Sequence, residues 1–299
     1  MKKPQQPKVS IISVNFNQCQ VTCDMLDSLR HISYQNVEII VVDNGSKEDC
    51  SVIKQAYPEV IFIRSEENLG FAGGNNLGFE VASGDYILLL NNDTEVASGF
   101  LEPLLDTFAK HPKAGIVSPK LIFFYSDRLI QYAGTGNINA LTCRGETHGF
   151  MQPDGPAFSF EAKTSLAHGA CMMISRAAVE AAGTLDASYF LCYEEYDYCE
   201  RVKQLGFEIY YNGHSEVLHK QSISMGKTSP LKSYYMTRNR IYFARKNFRG
   251  WSRSSALLFT YLVAVPKNML AEWLKGRAEN SLAIWKGATW NLKNPISTP

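Results

Sequence analysis

No stretch of this sequence reaches the roughly 20 consecutive apolar residues that a membrane-spanning helix needs. The nearest run, 256–265, stops at Pro266 and Lys267. Met1-Lys2-Lys3-Pro4 carries charge without the apolar run of a secretory leader. Cysteine is present seven times, at 19, 23, 50, 143, 171, 192 and 199, but never as Cys-x-x-Cys. Cys19-x3-Cys23 has no second half, which argues against a zinc knuckle. An odd count without a leader predicts reduced thiols and a cytoplasmic chain. Missing too are the dinucleotide fingerprint G-x-G-x-x-G, the lysine of a P-loop, internal repeats and low-complexity tracts. Acidic residues are scarce in one region only. Residues 220–299 hold 14 Lys/Arg against Glu272 and Glu279, a balance of +12, whereas residues 1–219 stand at −11. The net charge of +1 hides a division between an acidic body and a basic appendage suited to something anionic.

What is present reads as an ordinary globular chain, 45% hydrophobic and 20% charged, which excludes wholesale disorder. Short apolar runs at 9–14, 37–42, 60–63, 86–90 and 115–117 predict strands. Helical spacing of Val21, Met25, Leu29 and Ile32, and a second helix at 99–110, fall between them. Strands alternating with helices imply an α/β fold, a mostly parallel sheet flanked by helices. Ligands bind such sheets beyond the carboxyl ends of the strands. Here those ends carry Asn15, Asp43 and Asp93 on one rim. Periodicity fades over 123–163, predicting a long loop or irregular hairpin on the acceptor side.

Four clusters carry chemistry. Asn15-Phe16-Asn17 with Asp43-Asn44-Gly45-Ser46 offers an acceptor and an aromatic to a nucleoside, although Asp-Asn-Gly alone is more often a plain turn. The run 68–78, N-L-G-F-A-G-G-N-N-L-G, has four glycines in nine residues. It allows backbone to approach a diphosphate, or simply enters a helix. Asn91-Asn92-Asp93-Thr94 ends a buried strand, where a carboxylate suits a hard divalent ion or caps a helix. Glu194-Glu195-Tyr196-Asp197 opens a helix over 193–205, where three acids also suit the helix dipole. Asp197 and Arg201 are spaced as an i,i+4 ion pair.

In this order the segments V-S-I-I-S-V-N-F-N (9–17), V-V-D-N-G-S (41–46), N-L-G-F-A-G-G-N-N-L-G and L-L-L-N-N-D-T (88–94) resemble glycosyltransferase family 2. So do H-G-A-C-M-M-I (168–174), the stretch 183–201 around C-Y-E-E-Y-D, and V-L-H-K (217–220). The likeness covers about 8–225, and Y-Y-M-T-R-N-R-I-Y-F (234–243) is similar to rhamnosyltransferase-like members of bacterial polysaccharide assembly. It implies the GT-A fold, Rossmann-like, with a catalytic domain over 1–225 and a basic helical extension over 226–299. The nucleotide-sugar half would be about 1–120 and the acceptor half about 121–225. It implies a nucleoside diphosphate sugar donor, UDP- or dTDP-linked, and transfer to a hydroxyl of a saccharide or lipid-linked saccharide with inversion. Asn15, Phe16, Asp43, Asn68, Gly70, Gly73, Asn76, Asn92 and Asp93 would bind the donor. Asp93 would hold Mg²⁺ or Mn²⁺, with His219 as a further ligand. Glu195 would be the general base, ahead of Glu194. Two positions depart from the family: Asn91 replaces the first acid of D-x-D, and Glu195 stands where an Asp is usual.

Two rival functions stay open on the sequence. One is a sugar-nucleotide nucleotidyltransferase, against which stands the lack of a Gly-rich, Arg-containing loop after the first strand. The other is a non-catalytic nucleotide-sugar-binding protein. In the appendage, Arg238, Arg240, Arg245, Lys246, Arg249 and Arg253 precede the 256–265 run and Trp273, Trp285 and Trp290. That composition suits a peripheral helix on the anionic inner face of a membrane, or a helical cover with Leu257, Leu258, Tyr261 and Leu262 facing a core. Nothing upstream resembles a nucleic-acid module.

Overall fold

The computed structural model describes residues 6–220 and 229–296. In chain order the elements are β1 (Val9–Asn15), α1 (Cys19–Leu29), β2 (Val37–Asn44), α2 (Ser51–Ala56), β3 (Ile61–Ser65), α3 (Gly70–Val81), β4 (Tyr86–Leu90) and β5 (Thr94–Val96). Then come α4 (Leu101–Lys110), β6 (Ala114–Phe123), β7 (Ile130–Tyr132), β8 (Glu161–Lys163), β9 (Cys171–Ser175), α5 (Arg176–Ala182), α6 (Glu194–Gln204) and β10 (Glu208–His219). Four helices close the described chain: α7 (Pro230–Asn247), α8 (Gly250–Phe259), α9 (Val265–Leu274) and α10 (Ala278–Lys293).

All the strands join one sheet, ordered β3-β2-β1-β4-β9-β6-β10-β5, with β7 beside β6 and β8 beside β10. Strands β3, β2, β1 and β4 are mutually parallel. β9 is antiparallel to both β4 and β6, so β6 and its parallel neighbour β10 regain the first direction. The sheet is therefore mostly parallel and covered on both faces. Alternate residues of one strand feed different cores: Ile11, Val41 and Leu88 pack with α1 and α4, while Ile12, Val42 and Leu89 pack with α3 and α6. Burial on both faces is why these strands are continuous apolar runs instead of alternating ones.

The glycine-rich run is helix α3, not a loop. A Cβ on Gly78 would collide with Ile12, and one on Gly74 with Val14 and Asn44, so these glycines let the helix lie close on the sheet. Residues 123–163 form an irregular hairpin holding β7, β8 and isolated bridges such as Thr135↔Thr147 and Asn139↔Arg144.

The expectation of reduced thiols needs correction at one pair. Cys19 and Cys50 are joined in a disulfide, their Cα atoms 5.5 Å apart, because α1 and the start of α2 both pack behind the end of β1. The other five cysteines are free.

Helices α8 and α9 run on from one another through a π turn, Thr260–Ala264. Pro266 lacks the N–H that would continue an α ladder, which explains the widened turn before it. Leu257 and Tyr261 pack inward on α7 and α10, whereas Leu258, Leu262, Val263, Leu270, Trp273 and Leu274 are exposed. Among the described residues no helix is long and apolar enough to cross a membrane.

Candidate active site

The parallel register sets Asn15 opposite Asp43, so the ends of β1 and β2 meet at the rim. Both side chains are fully buried and already bonded. Asn15 Nδ2 donates to Asp43 Oδ1 and to Ser46 Oγ, each at 3.2 Å, and Arg64 donates to Asp43 Oδ2 at 2.8 Å. They stiffen the wall from behind. The cleft in front, about 230 Å³, is lined by Phe16, Asn44, Asn68, Gly70, Asn92 and Asp93 among others. Asn44 Nδ2 bridges Asn68 Oδ1 (3.1 Å) and the Gly70 carbonyl (2.9 Å), which fixes the entry to α3. Gly70 sits at φ +73°, and a side chain there would strike the Phe190 carbonyl, so glycine is required. The structure brings neither Gly73 nor Asn76 to this cleft. Gly73 faces Leu69 within the helix, and Asn76 ties α3 to both backbone groups of Leu185.

β5 pairs antiparallel with β10, placing Thr94 opposite His219, and so carries His219 to Asp93 across 126 positions. His219 Nε2 lies 3.1 Å from Asp93 Oδ1, and its Nδ1 lies 2.7 Å from Gln131 Oε1. With Nδ1 donating to that amide oxygen, a neutral ring turns the Nε2 lone pair toward a carboxylate. Either a proton or a cation relieves that opposition. Asn91 Oδ1 is buried nearby on the same strand end without a hydrogen-bond partner. Two oxygens and an imidazole nitrogen are a donor set for Mg²⁺ or Mn²⁺, with phosphate oxygens completing the shell. Asn91 thus leaves an amide oxygen free at a position where an acid was expected from the resemblance. His168 stands edge-on to His219 at 6.1 Å. Its pKa is pushed down to about 3 by burial and then by His219, so it stays neutral.

A second cavity, about 410 Å³, adjoins the first through Phe71, Asn91 and Leu191. Glu194 and Glu195 open onto it from the first turn of α6, facing His168, Gly169 and His219. Burial raises the Glu195 carboxyl to about 7. Glu194 is raised further, by burial and then by the charge of Glu195. One oxygen of each carboxyl has no hydrogen-bond partner. Burial thus pushes both adjacent carboxyls toward the protonated form, each made harder to ionise beside the other. Asp197, by contrast, is structural. Fully buried, it receives Arg201 at 3.0 Å, as its spacing predicts, together with Lys246 and Asn247.

The loop leading into α6 is unusual. Phe190, Cys192 and Tyr193 hold φ of 60°, 70° and 74°, a region that side chains larger than Asn disfavour. What holds them is α7. Asn239 Nδ2 lies 2.7–2.8 Å from the carbonyls of Tyr189, Leu191 and Cys192. Arg238 donates to the carbonyls of Ser188 and Tyr189. Sequence reasoning counted Arg238 only as basic charge and passed over Asn239. The signal available was a polar triplet, Arg238-Asn239-Arg240, inside an otherwise aromatic helix with no acid near it in sequence.

The Glycosyl transferase family 2 model matches residues 10–183, more than half of the chain. The low-salt glycan biosynthesis hexosyltransferase of Haloferax volcanii is 26% identical over 263 residues, covering 78% of this chain and 80% of that one. The N-acetylglucosaminyl-diphospho-decaprenol L-rhamnosyltransferase of Mycobacterium tuberculosis is 25% identical over 256 residues, covering 77% and 81%. Among solved structures, a mannosyltransferase of Pyrobaculum calidifontis in complex with GDP-Man and Mn²⁺ aligns with a TM-score of 0.60 at 14% identity. That alignment covers 97% of this chain and 91% of the other, a likeness of fold. Rim, carboxylate pair and family match agree: the chain belongs to glycosyl transferase family 2, with a GT-A fold.

Proposed function

We propose that this glycosyltransferase is metal-dependent and inverting, and that it moves a hexose from a UDP- or dTDP-linked donor to a hydroxyl of a lipid-linked saccharide in cell-surface polysaccharide assembly. Rhamnose is the donor sugar to test first, given the Mycobacterium relative. The observation that carries the reading is Glu195, its carboxyl raised to about 7 in a cavity that adjoins the cleft holding Asp93.

Glu195 accepts the proton of the acceptor hydroxyl as that oxygen attacks the anomeric carbon. Asp93, His219 and Asn91 are the residues that would hold Mg²⁺ or Mn²⁺, which when bound offsets charge on the departing diphosphate. Phe16, Asn44 and Asn68 frame the nucleotide, and Asn15 and Asp43 keep that frame rigid. Leu191 and Phe71, shared by both cavities, separate nucleotide from acceptor and limit water at the reacting carbon.

A panel of sugar nucleotides assayed with and without Mn²⁺ tests the reading: metal-dependent release of nucleoside diphosphate is expected, with dTDP-rhamnose foremost. Release of inorganic pyrophosphate instead, or no turnover of any donor, would overturn it. The exposed apolar residues of α8 and α9, beside exposed Arg253, Lys267 and Lys275, support seating on an anionic cytoplasmic leaflet. Co-sedimentation with phosphatidylglycerol vesicles is expected. It should drop on replacing Leu262, Leu270 and Trp273 by serine, and unchanged binding would remove the membrane from the proposal.

A further inference from the structure

Helix α7 buries a second arginine that the reaction described so far does not use. Arg240 is 6% exposed, and its Nε has no hydrogen-bond partner. No Asp or Glu lines the cleft it faces, which lies between α7, the π turn and the 137–148 hairpin. Its neighbours are the ring of Tyr193, the thiol of Cys143 and a like charge, Arg144, on that hairpin. Burial, assisted by Arg144, pulls the Arg240 pKa down. Thr260, at the head of the π turn and 2% exposed, lines the same cleft, and its Oγ1 is likewise without a partner. Asn268 adds an amide from α9.

Two guanidinium groups and a hydroxyl, gathered without a carboxylate, form an incomplete set of donors. A buried cation left this way costs stability unless an anion completes it. The planar forks of arginine match phosphate oxygens in bidentate fashion. The cleft also has a direction. It shares Arg144, Tyr193 and Met236 with the cavity that holds Glu195. On its other side, the π turn that supplies Thr260 exposes Leu262 by 70%, and α9, which supplies Asn268, exposes Trp273 by 63%. A phosphoryl group here would therefore stand between an apolar surface and the base.

We propose that Arg240, Arg144 and Thr260 form an anion site that binds the phosphate of a phospholipid-linked acceptor, setting the acceptor sugar toward Glu195 while its hydrocarbon lies along the π turn and α9. The proposal rests on the transferase reading for its second half only; the anion site itself does not depend on it.

Equilibrium binding of farnesyl phosphate, farnesol and inorganic phosphate to the full chain, with EDTA present to disable donor-site metal, tests it. Farnesyl phosphate should bind about tenfold or more tightly than farnesol, the scale of one charge-assisted contact. Arg240→Met and Arg144→Met should each remove most of that ratio, and Arg240→Lys should keep part of it. Arg144 is exposed, so its variant stays informative if Arg240→Met fails to fold. A ratio unchanged in Arg144→Met sinks the site. Inorganic phosphate binding as tightly as farnesyl phosphate overturns the acceptor assignment in favour of a free anion. Donor turnover by the same preparation separates the two readings: turnover with an unaltered ratio leaves the transferase and removes the site, while a lost ratio without turnover on any donor does the reverse.

Discussion

At the strand-end rim, Asn15, Asp43 and Asn91 stand where parallel strands stop, and their neighbours are fixed by the sheet itself. In the loop before Glu195, Phe190, Cys192 and Tyr193 sit in positive-φ backbone, held by side chains 47–50 positions later in the chain. The rim is positioned by register, the loop before Glu195 by long-range hydrogen bonds from α7 to its carbonyls. A site assembled in two ways should come apart in two ways, donor binding with one region and turnover with the other.

The sharpest break is at the base. Glu195→Gln should lower kcat by about 10²–10⁴-fold, the usual worth of a general base, and leave donor affinity within about twofold. Near-normal turnover in a single-turnover assay would remove Glu195 from the role. On the rim side, Asp93→Ala or His219→Ala should cost about 10²-fold in turnover and weaken donor binding as well, as titration with a nucleoside diphosphate in Mn²⁺ would measure. If either variant lost turnover alone, the metal assignment would belong elsewhere. Asn239→Leu keeps bulk but strips the clamp. Leaving buried carbonyls unpaired costs about 1–3 kcal/mol each. The expected result is a lowered Tm and a kcat reduced about tenfold or more with donor affinity unmoved; a matched loss of donor affinity would erase the contrast.

The mildest test is pH. Below about 7 Glu195 holds its proton, so kcat should climb with pH and level off above that value. Stability runs the other way. The folded carboxyl keeps a proton that the unfolded one gives up near 4.5, so this group's contribution is complete below 4.5 and is lost as pH rises toward 7. Glu195→Gln should flatten that slope in denaturant midpoints taken between pH 5 and 8.

Most of the sheet was legible because a strand covered on both faces is a plain apolar run with a polar end. Tyr86–Leu90 matches to the residue, and Val9–Asn15 to within one. Helix α3 was not, since four glycines argue against a helix by propensity, and only the close approach of Ile12, Val14, Asn44 and Phe190 explains Gly78, Gly74 and Gly70. Asp93 and His219 were legible as a pair through the resemblance, although spacing alone could not have joined them across 126 positions. Asn239 showed only as part of a polar triplet, and the proposed anion cleft gave no local signal: their meaning lies in which carbonyls and arginines tertiary packing brings near. The Cys19–Cys50 bond was hidden for the same reason, its partners lying 31 residues apart without a motif.

Helix α7 is buried without a break from Arg238 to Ala244, about two turns with no face left to solvent. Its position is closed from beyond by α10, where Asn291 Nδ2 donates to the Arg238 carbonyl and Arg245 donates to the carbonyls of Asn291 and Asn294. The loop before Glu195 therefore gains its full support only when the last helix of the described chain is in place. A chain ended before α10 should lose the backing of α7 while keeping the strand register that sets Asn15 beside Asp43.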